Sequence, residues 1–144
     1  MKNSVRIVAV LCLFLLAGCG ASKYAPLSGL FAKDGYGDSP IDVDTYRVMF
    51  VGNALTSAEI VDRYALYRAA ELTQQKGFDY FVVIDEGMAG STNVAGNSDA
   101  KVSSSTTHEA FKTIKVYKGT KPEGGSNAYN AKSLLSVMGP TIEK

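Results

Sequence analysis

The chain has 144 residues, 46% of them hydrophobic and 20% charged, with a formal net charge of +1, two Cys, one His and no Trp. That length accommodates one domain and not two well-packed ones. A charge near zero, without a dense Lys/Arg cluster, gives no electrostatic case for nucleic acid as a partner.

Residues 1–18 read as a secretory signal peptide. Lys2 and Arg6 form a basic start, and the apolar run Ile7–Ala17 is too short to span a bilayer, which takes about 20 residues. Leu16-Ala17-Gly18-Cys19 then matches the bacterial lipobox, in which the Cys is acylated and becomes the N-terminus. The alternatives are an ordinary signal peptide with an incidental Cys, or an uncleaved anchor. Cleavage before Cys19 leaves 126 residues and removes Cys12, so no intramolecular disulfide is available. It also leaves 13 basic against 14 acidic residues, so attachment to the membrane rests on acyl chains at Cys19 and not on a basic patch. Gly20, where an Asp would favour the inner membrane, is compatible with the periplasmic face of the outer membrane.

Residues 19–44 are rich in Gly, Ser, Pro and Asp and are expected to form a flexible tether, with Leu30 and Phe31 as apolar residues able to dock. A globular domain is expected over 45–144. Tyr46–Val51 is strand-like and Gly52-Asn53 ends it. Thr56-Ser57-Ala58-Glu59 has capping-box spacing, with Thr56 as the cap, for a helix running to Lys76 with Gly77 as its terminator. Phe78–Ile84 is nearly continuously apolar, as a central strand covered on both faces would be. Residues 85–107 are low in complexity and are expected to be a mobile loop. Ala110–Lys118 reads as a strand and Ala128–Met138 as a last helix stopped by Gly139-Pro140. The expected fold class is α/β (α+β): a two-layer sandwich in the order β-α-β-(long loop)-β-α, with two helices on one face of a three- or four-stranded mixed sheet, its first strand–helix–strand unit a right-handed crossover.

Helical periodicity puts Arg68 and Glu71 inside the apolar arc of the first helix, three residues apart and close enough to pair. They are expected as a structural ion pair, the alternative being a fixed charge pair at a binding site or partner contact. The block Tyr64–Thr73, containing Arg68-Ala69-Ala70-Glu71-Leu72-Thr73, with Phe50-Val51-Gly52-Asn53 before it and Gly77-Phe78-Asp79-Tyr80-Phe81 after it, resembles an uncharacterised family of small Gram-negative lipoproteins. Gly35-Tyr36, Lys118-Gly119 and Lys121-Pro122 extend the resemblance. It implies an envelope lipoprotein and transfers no activity.

No positioned catalytic constellation stands out. His108 closes a Ser/Thr-rich segment without a nucleophile elbow, and Asp38, Asp42 and Asp44 lack the Gly and Glu of a calcium loop. Gly35-Tyr36-Gly37 precedes the first confident strand and is no dinucleotide fingerprint, and the turn at Thr56 and Ser57 could bind an anion but serves capping more simply. The sequence therefore predicts no catalytic residue, metal or cofactor. It points to a non-catalytic cell-envelope lipoprotein acting through protein contacts, in assembly, maintenance or stress sensing. The alternative is a peptidoglycan-binding lipoprotein, because Asn53–Ser57 followed by an Arg-bearing helix superficially resembles the wall-binding helix of outer-membrane-protein-A-like domains, although the Arg lies too far along the helix.

Overall fold

The computed structural model describes residues 20–28, 32–95, 103–123 and 125–144. The expected signal peptide, Cys19, Leu30 and Phe31 lie outside them. Seven elements follow in order: β1 (Gly35–Asp42), β2 (Thr45–Val51), α1 (Ala58–Gln75), β3 (Tyr80–Ala95), β4 (Ser103–Tyr117), β5 (Ala128–Asn130) and α2 (Ala131–Met138). The strands form one curled sheet in the order β1-β2-β4-β3-β5, and each neighbouring pair is antiparallel.

The mixed α+β character holds in the broad sense, but a two-layer sandwich on a three- or four-stranded mixed sheet does not. Two segments account for the difference. Gly35–Asp42, inside the expected tether, pairs with β2 as an edge strand. Gly and Pro disguise it, and both are tolerated at a sheet edge. Within the expected loop 85–107, residues 85–95 and 103–107 belong to β3 and β4, which pair from Asp85↔Thr113 to Ala95↔Ser103. Backbone hydrogen bonding holds these strands with almost no apolar burial, so hydropathy gives no sign of them. The strand–helix–strand unit also joins strands that are not neighbours. β2 and β3 are each antiparallel to β4, hence parallel to one another with β4 between them.

Alternation sorts the sheet residues. Val48 and Phe50 of β2, Phe81 and Val83 of β3, and Ala110, Ile114 and Val116 of β4 turn toward the helices and are buried. Against them α1 lays Val61, Tyr64, Ala65, Ala69, Leu72 and Thr73. Burying each large apolar side chain here is worth about 1.5–3 kcal/mol. A bulge between Val83 and Asp85 shifts the register of β3, leaving Ile84 exposed and turning Glu86 to the helix side opposite Lys112. On the other face, Gly37, Met49, Phe111 and Gly87 align across four strands. Phe111 lies over Gly87, where an added Cβ would come within 2.5 Å of the ring, and the Arg47 guanidinium lies over the ring at 3.9 Å.

The cap of α1 is Ser57, not Thr56: Ser57 Oγ accepts from the Ile60 amide at 3.3 Å. The helix ends at Gln75, and Gly77 follows with φ +82°, a conformation that favours glycine. α2 begins three residues later than the periodicity suggests. Ala128–Asn130 pairs with β3 as β5, and Asn130 caps the helix through Ser133 N at 2.9 Å.

Candidate functional site

Arg68 lies midway along α1 on its buried face and is only 7% exposed. A guanidinium there must be matched donor by donor. Nε and Nη2 donate to Asp38 Oδ1 at 2.9 and 2.6 Å, Nη2 also to Gln75 Oε1 at 3.2 Å, and Nη1 to Glu71 Oε2 at 3.3 Å. The Tyr36 ring covers the guanidinium plane at 4.5 Å. The structure thus brings Arg68 and Glu71 together and adds Asp38 and Tyr36 from β1. Burial works against the charge on Arg68, but the hydrogen bonds and charge of Asp38, joined by Glu71, more than reverse it and raise its pKa.

Tyr24 completes the cluster. Only 6% exposed, it stacks on Tyr36 at 4.7 Å, meets Tyr64 and Tyr67 edge-on, and donates its hydroxyl to Glu71 Oε2. Burial, with the Glu71 carboxylate beside it, raises the Tyr24 pKa far above the usual phenol range. Of the two tyrosines that sequence reasoning left in a tether, Tyr24 is therefore a core residue and Tyr36 is half-buried against the same cluster. Around Tyr24 the chain is bonded throughout. Gly20 O accepts from Asn53 Nδ2 (2.9 Å), Ser22 N donates to Thr56 Oγ1 (2.7 Å), Ser22 Oγ accepts from Asn53 N (2.7 Å), and Tyr24 N donates to Glu143 O (2.7 Å). Of the groups at the helix start, Thr56 Oγ1 is thereby committed to the protein's own chain and Ser57 Oγ to the Ile60 amide. A cavity of about 210 Å³ opens beside this segment, between Ala21, Ser22, Ile60, Arg63, Tyr64 and Glu143.

A second buried cation was missed by sequence reasoning. Lys112 of β4 is 4% exposed, with Nζ 2.8 Å from Asp62 of α1 and 2.7 Å from Glu86 of β3. Burial opposes its charge, but hydrogen bonds to the two carboxylates prevail and raise its pKa. Its signal lies in the alternation Ala110, Lys112, Ile114, Val116, which puts a Lys on the inward face.

Past the pair Val51↔Glu109, β4 has no β2 partner, and past Val82 β3 has no β5 partner. The two strands continue alone as an arm, with Ala89–Val94 and Ser104–Thr106 exposed. His108 stands at its root, where its carbonyl accepts from Gly52 N at 2.8 Å, and its imidazole makes no hydrogen bond to Ser or Asp among the described residues. Nor do Asp38, Asp42 and Asp44 converge: Asp38 holds Arg68, Asp42 accepts from its neighbour Val43 N, and Asp44 faces Lys115 at 3.4 Å. Among the described residues no group of three His, Cys, Asp or Glu could hold a metal, and no helix is long and apolar enough to cross a membrane.

Comparison with known protein families, curated proteins and solved structures found no match for the chain.

Proposed function

We propose that the protein is a non-catalytic cell-envelope lipoprotein, anchored through acylated Cys19 at the periplasmic face of the outer membrane. It works through protein contacts made by the β3–β4 arm, in envelope assembly, maintenance or stress sensing. The observation that carries the contact role is the arm itself. Among the described residues neither of its edges has a further strand partner, and residues 87–95 and 103–107 contain no charge and no Pro. Those are the features with which proteins ordinarily protect exposed edges, and an edge without them suits strand addition by a partner. The peptidoglycan alternative turns on an available Arg in α1: Arg68 is committed to Asp38, Glu71 and Gln75, which leaves it resting on Arg63, whose Nη2 donates to the exposed Thr141 Oγ1 at 2.6 Å.

The test is a photo-crosslinking amino acid at Thr92 or Ser105 of the full chain in intact cells, with Thr120 as control. The expected result is one protein adduct from the arm positions that disappears when Asn93→Pro is added. Equal crosslinking from Thr120, or none from the arm, sinks the proposal.

A further inference from the structure

We infer that the domain lies directly on the bilayer, without a free tether, and that the turn Asn53–Ser57 with the exposed side chain of Leu55 faces the lipid. This rests on the reading of Cys19 as the acylated residue.

Chain length decides it. The first residue after Cys19 is already held by the body, because Gly20 O accepts from Asn53 Nδ2, and two residues on Ser22 is buried with both its amide and its hydroxyl bonded. Consecutive Cα atoms are about 3.8 Å apart, so the acylated residue cannot stray from this end of the domain. The headgroup layer on each side of the hydrocarbon is only about 5–8 Å deep. Acyl chains at Cys19 that reach hydrocarbon therefore bring Gly20 and its bonding partner Asn53 to headgroup level. Asn53 Oδ1 in turn accepts from Leu55 N at 2.9 Å, which fixes Leu55 beside the attachment point, and its side chain is 60% exposed.

Charge adds little to this contact. Arg63 lines the neighbouring cavity, but Glu143 lines it too and Glu59 stands in the first turn of α1. The occupant is a lipid surface held by acyl chains and an apolar side chain, not an anionic ligand held by cations.

The full-length protein, processed in cells, is reconstituted in phosphatidylethanolamine–phosphatidylglycerol vesicles carrying nitroxide-labelled lipid. A thiol-linked fluorophore is placed at Leu55→Cys or, as the distal control, at Gln74→Cys. The two positions bracket α1, whose 18 residues span about 27 Å. Most of the emission at 55 is lost to quenching and that at 74 is retained. A Gly/Ser segment of about twelve residues inserted after Gly20 restores emission at 55 while the protein still floats with the vesicles. If Leu55→Cys stays bright in protein that floats and carries acyl chains by mass, the direct seating is wrong and the anchor stands. If the mass shows an unmodified Cys19, the anchor reading falls and this inference with it.

Discussion

Arg68 joins three parts of the chain that are far apart in sequence: α1, the edge strand β1 through Asp38, and the N-terminal segment through Glu71 and Tyr24. Arg68→Ala leaves Asp38, 30% exposed, without its cation, leaves Glu71, 19% exposed, with only Lys144 at 3.9 Å, and uncovers Tyr36. A cost of about 2–3 kcal/mol is expected, below the 3–5 kcal/mol typical of fully buried pairs because water reaches both carboxylates. Thermal unfolding should show a fall in Tm of about 10 °C, and an unchanged Tm removes the structural role. Arg68→Lys recovers only part of it, since one ammonium cannot bridge Asp38, Glu71 and Gln75 together. The pH dependence follows from Tyr24 and Lys112. Both hold their protons more tightly in the folded chain than at their ordinary values of 10.0 and 10.5. Their contribution is therefore complete below about pH 10 and is lost as pH rises beyond it. Tm should stay level up to that point and then decline, and Tyr24→Phe with Lys112→Met should flatten the alkaline decline. A Tm insensitive to alkali in the parent chain contradicts this.

The elements differ in how legible they are, and the reason is what holds each one together. α1 shows itself through its cap region, its apolar arc and Gly77, because burial and local chemistry both leave marks in sequence. The inward face of β4 shows itself by alternation. β1 and the arm do not, since Gly, Pro and Asp signal turns and Ser and Thr signal exposure, whereas backbone pairing fixes these strands. The Arg68–Glu71 pair was legible from helical spacing, but its partners Asp38, Tyr24 and Tyr36 were not, because long-range pairing across β1 decides them. The arm should also be separable from the fold. Replacing residues 91–107 with Asn-Gly joins Gly90 to His108, which already face one another, through a two-residue hairpin turn. A change under about 1 kcal/mol is expected, as for exposed surface. A large drop in denaturation midpoint shows instead that the arm supports the core.

Across the whole molecule, the two terminal segments close on each other. Tyr24 N bonds Glu143 O, Glu143 N reaches Tyr64 Oη at 3.3 Å, and Ile142 is buried in the cluster that contains Tyr24. The arm is rooted at the neighbouring end, where His108 O meets Gly52, so the proposed contact strands begin close to the proposed lipid surface.

The clasp between Tyr24 and Glu143 also sets an order of events during synthesis. A chain emerges from its N-terminus, at about 5–20 residues per second, so Glu143 follows Tyr24 only after 119 residues' delay. Until then the backbone bond that closes the clasp has no acceptor. The segment around Tyr24 therefore locks down only after Glu143 has been made. The closing step of folding is then timed by the 119 residues that separate the two partners.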